Sequence, residues 1–153
     1  MRIEDRFIVA APRARVWEAI IDPAFVAPCV PGCQGVTVVG PTLYKAKVRV
    51  QLGVIKADFN VEVELTAQTP PEELRSRTRG EEGSRASSIS AENLLRLVSR
   101  SENETEVCYS SEVSVVGRLG KFGLGVMRKK AESLGRDFAA AFKARVETVP
   151  SPG

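Results

Sequence analysis

Tyr44-Lys45-Ala46-Lys47-Val48-Arg49-Val50-Gln51-Leu52 alternates apolar with charged or polar side chains without a slip. Successive residues of a strand point to opposite faces. Tyr44, Ala46, Val48, Val50 and Leu52 therefore share one face, and Lys45, Lys47, Arg49 and Gln51 the other. This is the pattern of an antiparallel sheet with one wet and one buried face. Beyond Gly53 it resumes, with Phe59, Val61, Val63 and Leu65 inward and Asp58, Asn60, Glu62 and Glu64 outward.

On the C-terminal side, Pro70-Pro71 predicts a turn into a strand over 72–79, and Gly80 and Gly83 predict a loop over 80–84. Residues 85–99 and 104–116 read as a further strand pair joined around Ser101-Glu102-Asn103. On the N-terminal side, residues 35–40 read as a strand ended by Gly40-Pro41, and residues 1–10 as the first strand, with Ile3, Phe7 and Val9. Between these two, Pro12 suits a first helical turn, and Val16, Trp17, Ala19, Ile20 and Ile21 give that helix an apolar face. Asp22-Pro23 ends it and begins a second short helix over 23–27, which Pro28 and Pro31-Gly32 stop.

The period then changes. From Lys121 to Glu147 there is no proline, and Phe122, Val126, Met127, Leu134, Phe138, Ala141 and Phe142 recur at helical spacing. At ~1.5 Å per residue such a helix is on the order of 40 Å long. The expected fold is α+β: a strand, two short helices, six strands and one long C-terminal helix. It forms a single domain over residues 1–148, with a flexible tail over 149–153. One helix cannot cover both faces of such a sheet, so six to seven strands must curl around it. The inward rows are mostly Val, Ala and Leu, and aromatics make up only 6% of the chain, so the curl is expected to enclose a cavity.

The 43% hydrophobic and 27% charged composition of the 153 residues fits one globular domain. No apolar run approaches the ~18–20 residues that span a bilayer, and no basic-then-apolar leader opens the chain, so a cytoplasmic location is expected. A net charge of +3 is too mild to argue for nucleic acid, and no such partner is expected. Three cysteines (Cys29, Cys33 and Cys108) with no histidine argue against both a disulfide framework and a zinc site.

Pro12-Arg13-Ala14-Arg15-Val16-Trp17-Glu18-Ala19-Ile20-Ile21-Asp22, followed by Cys29-Val30-Pro31-Gly32-Cys33, resembles the opening of the CoxG family, the G-subunit family of carbon monoxide dehydrogenase. Val113-Ser114-Val115-Val116-Gly117-Arg118-Leu119-Gly120-Lys121-Phe122-Gly123 resembles that family's glycine-punctuated entry to the last helix. The Val-Trp-x-x-x-x-Asp portion is shared by the wider START-like (SRPBCC) superfamily, whereas Cys-x-Pro-Gly and Gly-x-x-Gly are more specific. The resemblance implies the helix-grip fold. It also implies a non-catalytic role beside a molybdenum hydroxylase of the CO dehydrogenase type, or a hydrogenase. The bound molecule would be menaquinone or another isoprenoid quinone or lipid. Some members of that family carry an apolar terminal anchor; Val149-Pro150-Ser151-Pro152-Gly153 carries none, so peripheral contact with the inner face of the membrane is expected.

The residues themselves make a poor enzyme. Without histidine the commonest general base is missing, and no base can be assigned to a cysteine nucleophile. Asp58, Glu62 and Glu64 fall on the wet face, and Asp22 reads as the cap of the second short helix. No catalytic residue is assigned. The candidate cavity lining is Tyr44, Val48, Val50, Phe59, Val61, Val63, Leu95, Leu97, Tyr109 and Val113, faced by Phe122, Val126, Met127, Leu134 and Phe138 from the helix. Each is also an ordinary core position. Together they describe an elongated apolar slot, which suits a prenyl tail better than a polar metabolite, and Tyr44 or Tyr109 can offer a hydroxyl to a quinone carbonyl. Lys121, Phe122, Leu124, Arg128, Lys129 and Lys130 are candidate membrane contacts, or equally a helix start with a solvated basic face. Two other roles stay open: a cyclase or hydrolase acting on an aromatic or polyketide substrate, and an assembly factor for a molybdenum hydroxylase.

Overall fold

In the computed structural model, which describes residues 1–148, seven strands form one antiparallel sheet. They are β1 (Arg2–Val9), β2 (Cys33–Gly40), β3 (Leu43–Leu52), β4 (Ile55–Thr69), β5 (Glu73–Glu82), β6 (Ser87–Ser101) and β7 (Glu104–Gly117). The tail expected over 149–153 lies outside the described residues. The strand order is β1-β7-β6-β5-β4-β3-β2, so β2 to β7 form a run of hairpins while β1 returns to pair with β7. The two sheet edges are thus consecutive in the chain. They are joined by α1 (Arg13–Ile20), α2 (Pro23–Val26) and a 3₁₀ turn, Ala27–Cys29. This short link draws the edges towards each other and curls the sheet. The Asp22 carboxylate accepts the Ala24 N–H at 3.0 Å and caps α2, its expected role.

The alternation of β3 and β4 becomes spatial order. Val48 lies opposite Phe59, Ala46 opposite Val61 and Tyr44 opposite Val63, placing the apolar rows side by side on the inner face. On the outer face Arg49 and Asp58 pair at 2.7 Å. Along the inner face runs α3 (Leu124–Thr148), 25 residues long, packed on β1, on α1 and on the 3₁₀ turns.

Two local expectations are corrected. The loop expected over 80–84 is strand as far as Glu82, and the connection falls at 83–86. Arginines at 75, 77 and 79 keep β5 in phase to that point, and Gly80 sits between Val61 and Ile89 in the ladder. A Cβ on Gly80 would meet Val61 Cγ2 at 3.4 Å, so the missing side chain makes room for the inward row. The long helix begins at Leu124 rather than Lys121, because Arg118–Phe122 is a 3₁₀ turn ended by Gly123 at φ 86°.

Two apolar clusters hold the fold. One joins Val9, Val16, Trp17, Phe25, Leu97, Val107, Phe142 and Val146. The other joins Leu52, Ala57, Phe59, Leu119 and Met127 at the start of α3. The chain enters that second cluster through Gly117, whose φ of 92° and ψ of −157° belong to a region open essentially to glycine alone. A Cβ there would lie 2.1 Å from the Ala86 carbonyl oxygen. Gly117→Ala is expected to cost about 2 kcal/mol and to lower Tm by roughly 4–8 °C. Thermal denaturation followed by circular dichroism checks this, and an unchanged Tm contradicts the assignment.

Candidate functional site

Between the two clusters the helix and the sheet do not meet, and a cavity of about 590 Å³ remains. That volume suits a small-molecule ligand. The floor is the inner face of β3 to β7. The roof is Leu134, Gly135 and Phe138 of α3, and one wall is the α1–β2 connection. Lys45, exposed on β3, marks the rim on the β2–β3 side.

Of the residues read as lining, Tyr44, Val48, Val50, Phe59, Val61, Val63, Leu95, Tyr109, Val113, Leu134 and Phe138 do border this space. Four do not. Leu97 is 2% exposed within the first cluster, and Met127 is buried in the second, so both are solid core. Phe122 and Val126 face outward, because the 3₁₀ turn and Gly123 rotate the chain before α3 begins. Among the candidate membrane contacts, Leu124 is 75% exposed, and Phe122, Lys121 and Lys129 also face out, while Lys130 is half-buried. Arg128 Nη1 donates to the Arg2 carbonyl at 2.8 Å, tying α3 to β1.

The sequence reading missed two groups. Ile20, Ile21, Pro23, Val26, Val30 and Pro31 form the wall contributed by the α1–β2 connection. Ser76, Thr78, Asn93 and Ser111 form a polar patch on the floor. Asn93 Nδ2 donates to Thr78 Oγ1 at 3.0 Å and to Ser76 Oγ at 3.2 Å, and Ser111 Oγ donates to Asn93 Oδ1 at 2.7 Å. A signal was present: Arg75, Arg77 and Arg79 mark the outer phase of β5, which leaves Ser76 and Thr78 facing inward.

Tyr109 stands one rung from Ser111, beneath α3. A Cβ on Gly135 would lie 2.7 Å from its hydroxyl, so glycine at that helix position lets the phenol fit. Burial pushes the Tyr109 phenol up, with the Asp5 charge adding to the effect. The Cys29 and Cys108 thiols are also pushed up, in both cases chiefly by burial. Cys29 lies within the first cluster. Cys108 donates to Glu106 Oε1 at 3.3 Å. Among the described residues no group of three His, Cys, Asp or Glu is placed to hold a metal ion. Among the described residues the cavity lining contains no Asp or Glu.

A family model for CoxG, the G-subunit of carbon monoxide dehydrogenase, matches residues 6–147. The chain belongs to the CoxG family. Among solved structures, a conserved protein from Geobacillus kaustophilus is 21% identical with a TM-score of 0.88, the match covering 95% of each chain. A START superfamily protein from Mycobacterium smegmatis is 14% identical with a TM-score of 0.77, over 97% of this chain and 99% of that one. The Zhui aromatase/cyclase from Streptomyces sp. R1128 is 18% identical with a TM-score of 0.60, over 95% and 90%. These likenesses establish the START-like helix-grip fold of this CoxG member. No curated protein matches the chain. Family and fold point to a ligand-binding protein. No helix among the described residues is long and apolar enough to cross a membrane.

The raised phenol and thiols set an alkaline limit. A group whose pKa is higher folded than unfolded contributes stability that is complete below the unfolded value and lost as pH rises through the folded one. The urea midpoint is therefore expected to fall above about pH 9, where free thiols and phenols begin to ionise, and to fall less in Tyr109→Phe. Urea unfolding curves at neutral and alkaline pH check it; a flat profile contradicts it.

Proposed function

We propose that the protein is a non-catalytic carrier. It holds a hydrophobic isoprenoid quinone of the menaquinone kind, or a similar lipid, and moves it between the membrane and a redox enzyme of the molybdenum hydroxylase/CO dehydrogenase or hydrogenase type. The observation that carries this reading is the 590 Å³ cavity, walled by Val, Leu, Ile and Phe side chains and, among the described residues, lined by no carboxylate. Such a space removes a prenyl chain from water, at about 25 cal/mol per Å² of apolar surface buried. Membership of the CoxG family supports the redox partner.

A cyclase or hydrolase of this fold would need an acid/base pair facing its substrate, and the described lining residues supply neither carboxylate nor imidazole. In an assembly factor the cavity would be incidental. Mass spectrometry of an organic extract from the protein, purified out of a quinone-producing host, separates these readings. Stoichiometric menaquinone or ubiquinone is expected, and Val61→Trp, which fills the cavity floor, is expected to abolish it while leaving the circular dichroism spectrum unchanged. An empty protein that takes up no added quinone overturns the carrier reading, and retention of a molybdenum hydroxylase by that empty protein favours the assembly factor.

Membrane visits are supported by one end of the molecule. Leu124 is 75% and Val54 99% exposed, at the start of α3 and at the β3–β4 turn. Leu52 and Ile55 flank that turn and pack into the same cluster as Met127. Apolar tips beside Lys121 and Lys129 suit an anionic lipid surface, each cation contributing about 1 kcal/mol. Leu124→Asp is expected to weaken binding to phosphatidylglycerol vesicles by roughly tenfold, from the lost burial of a leucine side chain. Co-sedimentation measures it, and an unchanged bound fraction removes α3 from the membrane contact.

A further inference from the structure

Both ends of the Asn93 carboxamide are engaged, and its orientation is determined. Besides the two hydroxyl oxygens, Nδ2 lies 3.4 Å from the Ser76 carbonyl oxygen, which can only accept. The amide nitrogen therefore faces β5, and the amide oxygen, which takes the Ser111 proton, faces β7. Ser76 and Thr78 each accept from the amide, and their own protons find no acceptor among the described residues. The Tyr109 hydroxyl likewise has no hydrogen-bond partner among the described residues. Its raised pKa keeps its proton in place. All three groups border the cavity.

On β5 and β7 the cavity thus presents three O–H donors without acceptors, and Tyr44, on β3 beside Lys45, adds a fourth hydroxyl without a hydrogen-bond partner among the described residues. Within the lining, among the described residues, the one charged side chain is Lys45 at the rim. A neutral acceptor satisfies such donors, at a net gain of about 0.5–1.5 kcal/mol for each bond. A carboxylate brought to the same place would lose its hydration with no cation to compensate it.

We infer that Ser76 and Thr78, oriented by Asn93, which Ser111 holds in turn, act together with Tyr109 to recognise the neutral, hydrogen-bond-accepting head of the bound lipid, and that this site discriminates against fatty acids. The inference rests on the carrier reading and adds which way round the ligand lies. Asn93 on β6 is three strands from Lys45 on β3, about 14 Å at ~4.8 Å per strand. The head lies under α3 and the tail runs towards the β2–β3 rim.

The test uses the whole chain and three probes in calorimetric titrations. These are 2-methyl-3-farnesyl-1,4-naphthoquinone, the matching farnesyl-methylnaphthalene without carbonyls, and palmitate. The quinone is expected to bind about tenfold more tightly than the hydrocarbon, from one to two hydrogen bonds, and palmitate most weakly. Thr78→Val and Tyr109→Phe are each expected to weaken the quinone roughly fivefold and to leave the hydrocarbon unchanged, which also reports that the variants are folded. Equal affinity for quinone and hydrocarbon, or variants that weaken both alike, overturns the head-group site and leaves the carrier reading standing. Tightest binding of palmitate overturns it too. Failure of all three probes to bind overturns the carrier reading and this inference together.

Discussion

Phe142, completely buried, stacks on Phe138 with centroids 5.6 Å apart and takes the rings of Phe7 and Phe25 edge-on at 6.4 and 6.0 Å. This cluster ties the C-terminal half of α3 to β1 and α2 at once, so three separate elements share one aromatic contact. The other end of the helix is held by Met127 and Leu119 against β3 and β4. A helix fastened at both ends and spanning a curled sheet in between leaves its middle out of contact with the floor. The cavity follows from that geometry, and Phe7 and Phe138 close one end of it.

The enclosed space has a chemistry of its own. Its walls are mostly apolar, its charged rows lie on the outer face, and Ser76, Thr78, Asn93, Tyr109 and Ser111 gather polar atoms on the neighbouring strands β5 to β7. Ser76, Asn93 and Ser111 form one rung across β5, β6 and β7. Because the amide in the middle donates to both hydroxyl oxygens on its β5 side, the protons of Ser76 and Thr78 are left without acceptors among the described residues. Small residues adjust the fit: Gly80 spares room beside Phe59 and Val61, and Gly135 lets Tyr109 stand under the helix. The proposed preference for neutral heads rests on the scarcity of charge among the described lining residues, where Lys45 at the rim is the one charged side chain.

Much of this was legible in one dimension. The strict alternation from Tyr44 to Leu52 and from Asp58 to Leu65 assigned each side chain to a face, because the pleat leaves no other choice. Asp22-Pro23 announced its cap, and the change of period after Gly120 announced the helix. The errors share a cause. Leu97 and Met127 have the correct inward phase, but phase says only which face a residue occupies, not whether that stretch meets core or void. Phe122 and Val126 fit a helical spacing that Gly123 interrupts, and a turn of a few residues rotates everything before it.

The sequence by itself determined the order of elements, the wet and dry faces of the sheet and the family, all of which depend on neighbours a few residues apart. Only the tertiary structure decided where the two cores end and the cavity begins. It alone brought Asn93 against Ser76 and Ser111, which lie 17 and 18 residues away along the chain. Contacts of that separation are set by strand register and by the height at which α3 crosses the sheet. Serine, threonine and asparagine carry no local mark that tells a cavity-facing polar group from a solvated one.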